Sequence, residues 1–81
     1  MVEEIREVLA GHARLAVAAD DLPTDADLYE AGMTSHASVN VMLALEDRFD
    51  VEFPDSMLTR SAFESIDAIA AAVGQLRAEA S

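Results

Sequence analysis

The chain has no cysteine and no lysine, and only 5% of its 81 residues are aromatic. Without cysteine no disulfide can form and nothing calls for an oxidising compartment, so any thiol chemistry must be borrowed from a cofactor. With 52% hydrophobic residues and so few aromatic ones, the core must be aliphatic, built from Ala, Val, Leu, Ile and Met. No apolar run approaches the ~20 residues of a membrane span. Met1-Val2-Glu3-Glu4 is acidic where a signal peptide would be basic, so a cytoplasmic location with no membrane contact is expected. The length fits one domain, residues 1–81, with a thin core.

Positive charge is also scarce. Five arginines stand against sixteen Asp and Glu, for a net charge of −11. Such a surface repels phosphate backbones and anionic membranes and steers basic partners toward itself, which excludes nucleic-acid binding. Acidity that merely keeps a small domain soluble and acidity that serves docking both remain open on composition alone.

The chain opens with a predicted helix from Val2 to Ala16, on which Ile5, Val8, Leu9 and His12 follow the i, i+3, i+4, i+7 stripe. His12 continues that stripe and is expected at the boundary of the core. Gly11 falls mid-helix, where it either permits close packing or shortens the helix. A long connection follows from Val17 to Met33, rich in acids and broken by Pro23, with Leu22, Leu28 and Tyr29 as the expected pins. Counting a calcium loop from Asp25 puts Glu30 where glycine is required and His36 at the terminal glutamate, so Asp25 to Glu30 reads instead as a helix-capping turn. After Phe49, Asp50 to Phe53 is extended, and Pro54 opens a short segment to Thr59 in which Met57 and Leu58 could anchor a helix or a folded loop equally well. Ser65 then caps a last helix carrying Ile66, Ile69, Ala70, Val73 and Leu76 on one face, with Arg77 in its last turn.

No catalytic constellation is visible. Ser35 and His36 pair a nucleophile with a base, but neighbours on a helix point about 100° apart, so the imidazole does not readily reach the preceding hydroxyl. No third orienting group is suggested, and two histidines without cysteine do not suggest zinc. Neither a catalytic site nor a metal site is expected.

The most informative stretch is Gly32 to Phe49, GMTSHASVNVMLALEDRF. Gly32 can take positive φ where a loop must turn, and Thr34 and Ser35 suit the cap and first turn of a helix. Val39, Met42, Leu43 and Phe49, with Leu45 beside them, recur at helical spacing, and Asn40, Glu46, Asp47 and Arg48 supply the opposite face. Ser35 then sits at the exposed mouth of an amphipathic helix, where free N–H groups and the helix dipole favour an anion such as a phosphate ester. Ser38, one turn on, is the rival hydroxyl and lies on the helix face.

The glycine three residues before Ser35, the valine four after it and the Ala44-Leu45-Glu46 run ending at Phe49 resemble the modification-site helix of acyl carrier proteins. Asp27-Leu28-Tyr29-Glu30 before the helix and Val51-Glu52-Phe53-Pro54 after it also fall where that family has them. The usual family triplet is Asp-Ser-Leu, and here it is Thr34-Ser35-His36. The run LYEAGMTSHASVNVMLALEDRFDVEFPDSML is most similar to the standalone aminoacyl carriers charged by ligases that resemble truncated aminoacyl-tRNA synthetases.

The resemblance implies an all-α, four-helix bundle with three longer helices, one short helix and a long first loop. It implies 4′-phosphopantetheine bonded to Ser35, with a terminal thiol that holds an acyl or aminoacyl group as a thioester. The partners it implies are a phosphopantetheinyl transferase, an amino acid or acyl ligase that charges the arm, and downstream acceptor enzymes, all met by a monomeric carrier. Thr34, His36, Asn40, Leu43 and Asp47 are the expected recognition residues. Fatty-acid or polyketide cargo is the alternative, and an acidic interaction module without cofactor is the alternative of a different class.

Overall fold

The structure is a computed structural model that describes residues 1–80. Three α-helices, α1 (Val2–His12), α2 (Ser35–Phe49) and α3 (Ile66–Ala80), are joined by segments containing short 3-10 turns at Ala19–Asp21, Asp55–Met57 and Arg60–Phe63. No strand occurs among the described residues. Where a short helix was expected over Pro54 to Thr59 the chain forms a 3-10 turn at Asp55–Met57, and a second, Arg60–Phe63, follows it.

Helix α1 is the central element, packing against both α2 and α3 and against the first 3-10 turn. It buries Ile5, Val8 and Leu9, while Glu3 and Glu4 lie in its first turn, where the dipole favours acids. The helix is shorter than its apolar pattern suggested: it stops at His12, and Arg14 turns the chain with φ 55°. His12 is exposed rather than at the core boundary, because the helix ends there and Ala13 takes the buried place. A Cβ on Gly11 would meet nothing within 4 Å, so close packing is not what this glycine provides.

Side chains pin the long connection to the bundle. Leu28 is fully buried, and its N–H donates to the Glu64 carbonyl at 2.7 Å. Leu22 and Tyr29 pack against the core from partly buried positions. Asp27 Oδ1 accepts from the N–H groups of Tyr29 at 2.9 Å and Glu30 at 3.4 Å, so the Asp25–Glu30 stretch is a turn closed by an aspartate side chain. Arg6 contributes a clamp that no local pattern announced: its Nη1 donates to the carbonyls of Ala19 at 2.6 Å and Leu22 at 2.7 Å.

Helix α3 begins as its sequence indicates, with Ser65 Oγ accepting from Ala68 N–H at 3.0 Å. Ile66, Ile69 and Val73 are fully buried, and Ala72 and Leu76 complete that face. Phe63, at the end of the last 3-10 turn, packs its ring 5.3 Å from that of Phe53. With Phe49, these two rings are the aromatic members of a core that is otherwise aliphatic. No polar or charged side chain is fully buried among the described residues, so the core itself is held by apolar contact.

Candidate functional site

The site is built on the start of α2. Gly32 has φ 117°, and a Cβ there would lie 3.1 Å from the Ala16 nitrogen, so the turn into the helix requires glycine. On its two sides Met33 N–H donates to the Leu28 carbonyl at 3.0 Å, and Ala16 N–H donates to the Ala31 carbonyl at 2.8 Å. Thr34 is the N-cap: its backbone is extended and its Oγ1 accepts from Ala37 N–H at 3.0 Å. With Thr34 in that role, Ser35 is the first helical residue and is exposed. The first turn of α2 contains no acidic residue, unlike those of α1 and α3.

The hydroxyls of the chain differ in what they do. Ser38 donates to the Ser35 carbonyl at 2.7 Å, Ser65 caps α3, and Ser61 pairs with Thr59 at 3.2 Å. Ser35 Oγ has no hydrogen-bond partner among the described residues, and it opens onto a groove of about 360 Å³ between α2 and the segment preceding α3. Tyr29, Val39, Met42, Leu58, Arg60 and Phe63 form most of its wall. Such a groove can receive a slender, largely apolar chain leaving the Ser35 hydroxyl.

The buried face of α2 keeps Leu45 and Phe49 of the stripe the sequence suggested but not Val39 and Leu43. Ala37, Val41, Leu45 and Phe49 face the core, whereas Val39 is 50% and Leu43 53% exposed. The reason is that α2 is apolar on more than one face, and α1 selects the i, i+4, i+8, i+12 row for packing. Of the expected recognition residues, Asn40, Leu43 and Asp47 meet in a shallow depression with Val8, His12, Ala44 and Arg48. Thr34 and His36 are exposed in the preceding turn, outside that depression. Arg48 is drawn toward α1 by Glu4 at 3.6 Å and by a hydrogen bond to Glu7.

No group of three or more His, Asp or Glu side chains among the described residues could hold a metal ion, and no described helix is long and apolar enough to cross a membrane. The sequence reading overlooked Arg60. Its guanidinium lies 4.2 Å from the centroid of the Tyr29 ring, and only its scarcity as one of five cations could have drawn attention to it.

Residues 3–73 match the family described as "Phosphopantetheine attachment site". The chain belongs to this family of carriers. The group these carriers hold is 4′-phosphopantetheine, joined covalently to a serine, and an exposed hydroxyl beside an apolar groove suits it. Among relatives of this carrier, the aminoacyl carrier protein of Agrobacterium fabrum (strain C58) is 51% identical over 65 residues, covering 80% of this chain and 78% of that one. A chain in the crystal structure of engineered Bradyrhizobium japonicum glycine:[carrier protein] ligase complexed with carrier protein from Agrobacterium tumefaciens and AMP superposes with a TM-score of 0.89. It is 47% identical, and the match covers 91% of this carrier and 99% of that chain. A chain in the crystal structure of B. japonicum glycine:[carrier protein] ligase complexed with glycylated carrier protein gives a TM-score of 0.74 at 33% identity, with 86% and 93% covered.

Proposed function

We propose that Ser35 carries the phosphopantetheine arm and that the chain, acting as one carrier domain over residues 1–81, presents an aminoacyl thioester on that arm to successive enzymes. The observation that carries this reading is the free, exposed hydroxyl of Ser35 at the first residue of α2, inside the family match and at the mouth of the groove. Ser38, the rival, is occupied by its bond to the Ser35 carbonyl. The chain itself makes and breaks no bonds in its cargo. A phosphopantetheinyl transferase installs the arm, an amino acid:carrier protein ligase charges the thiol, and an acceptor enzyme removes the aminoacyl group. Similar carrier proteins in complex with glycine:[carrier protein] ligase, one of them glycylated, make glycine the first amino acid to test.

The protein contributes an address. Thr34, His36, Asn40, Leu43 and Asp47 are exposed along the same helix as Ser35, and an exposed leucine amid polar groups supplies the apolar anchor that a small interface needs. The surrounding negative charge speeds encounter with basic partner surfaces.

Co-expression with a broad-range phosphopantetheinyl transferase, followed by intact-mass analysis, tests the attachment. One phosphopantetheine is expected on the wild type and none on Ser35→Ala. Wild-type chain that stays unmodified with several such transferases would refute the carrier role and leave an acidic interaction module. Modified chain that accepts fatty acyl groups but no amino acid would reassign the cargo.

A further inference from the structure

In a chain with sixteen carboxylates, an arginine without one is informative. Arg6 is occupied by two loop carbonyls and Arg48 by Glu4 and Glu7, and the Arg77 guanidinium lies 5.9 Å from the Phe49 ring centroid. Arg14, like Arg60 without an ion pair among the described residues, lies away from the groove beside Leu9, Ala10 and Ala19. Arg60 has no carboxylate within ion-pair distance among the described residues. What it has is Tyr29, whose ring it covers at 4.2 Å, and both side chains line the groove that Ser35 opens onto.

We propose that Arg60, held over Tyr29, binds the phosphodiester that joins the arm to Ser35. The inference rests on Ser35 being the attachment residue. Stacking uses the face of the guanidinium and leaves the N–H donors in its plane free, so the ring fixes the cation without consuming its hydrogen bonds. A phosphodiester offers two non-bridging oxygens that share one negative charge, the acceptor geometry the guanidinium fork matches. The support for Arg60 is itself anchored, because the 3-10 turn Arg60–Phe63 ends in a phenylalanine that is 5% exposed and packed on Phe53. Arg60 is the one cation among the residues lining the groove, and the nearby hydroxyls of Ser38 and Thr59 are bonded to the Ser35 carbonyl and to Ser61. Arg60 is therefore a positioning residue: it holds the root of the arm at the groove and leaves the thiol end free.

A thermodynamic cycle tests this. Apo and phosphopantetheinylated forms of wild type, Arg60→Gln and Arg60→Lys are melted at low salt, and the Arg60 Nε–Hε resonance is followed in ¹⁵N-labelled wild type before and after modification. Arg60→Gln is expected to lower the melting temperature of the modified form by about 3 °C more than that of the apo form, as one exposed charge-assisted pair would. That excess should shrink at ~0.5 M salt, and Arg60→Lys should restore part of it. The Arg60 resonance should move on modification while that of Arg14 stays in place. Equal losses in both forms with an unmoved Arg60 resonance would overturn the proposal and leave the attachment standing. Should Arg60→Gln fail to fold, the resonance shift in the wild type decides alone. Intact masses of the same samples read the attachment separately: an unmodified wild type overturns both it and this proposal.

Discussion

Removing the Arg6 side chain should loosen the first connection and destabilise the whole fold. Its Nη1 bridges the carbonyls of Ala19 and Leu22, 13 and 16 residues away, at 2.6 and 2.7 Å. Hydrogen bonds from a charged donor contribute about 1.5–3 kcal/mol each, which bounds the loss in Arg6→Ala near ~6 kcal/mol. Two effects reduce it. Ala19's carbonyl keeps a long bond from Leu22 N–H at 3.3 Å, and water can reach a partly buried site once the side chain is gone. The expected net cost is about 2–3 kcal/mol, which for a chain of this size lowers the melting temperature by roughly 10–20 °C. Because one nitrogen makes both bonds, Arg6→Lys can reproduce part of the bridge and should recover about half the loss. Circular dichroism melts give the magnitude, and amide exchange locates it: protection should fall at Ala16, Leu22 and Leu28 before it falls along α3. A drop below ~2 °C for Arg6→Ala, with unchanged exchange in the connection, would show that the connection is held by Leu28 and backbone bonds alone.

Gly32→Ala should destabilise by about 1–3 kcal/mol, seen as a lower urea midpoint, because φ is 117° and the new Cβ would crowd the Ala16 nitrogen. Asp50 sits at φ 54° just past the C-terminus of α2, where the helix dipole disfavours an acid, so Asp50→Gly should raise stability by about 0.5–1 kcal/mol in the same assay. A net charge of −11 should make melting temperature rise with salt, and since no described acidic cluster could hold a metal ion, magnesium should act only through ionic strength. Thr34→Asp with His36→Leu should leave folding nearly unchanged, since aspartate caps as well as threonine and His36 is exposed. If the pair is part of the address, the double variant should be modified faster by transferases serving fatty-acid carriers and charged more slowly by the native ligase. Equal rates in both assays would move recognition along α2 toward Leu43 and Asp47.

Helix ends controlled by side-chain caps were legible in the sequence, as were the buried faces of α1 and α3; the face of α2 was not. Thr34 and Ser65 each announce a helix start, and both caps form. The face of α2 was missed because apolar residues, Val39, Met42 and Leu43 as well as Ala37, Val41 and Leu45, occur around most of its circumference, so periodicity alone could not rank Val41 above Val39. The end of α1 was placed four residues late because the chain turns at Arg14 in a left-handed conformation, at a residue carrying no glycine signal. Ser35 was conspicuous through its register within a long motif. The wall facing it was not, because Leu58, Arg60 and Phe63 come from a segment whose 3-10 turns have no strong pattern of their own.

The chain has a single tyrosine and no tryptophan. That tyrosine, Tyr29, lies in the groove beside Ser35 with a cation over its ring. The unlabelled protein therefore contains one principal near-ultraviolet chromophore, and it lines the groove beside the proposed attachment residue. Its emission and near-ultraviolet dichroism report on the groove, with only weak background from three phenylalanines. Attachment of a chain there, and its movement into or out of the groove, can be followed optically in real time with no dye on the surface that partners must read.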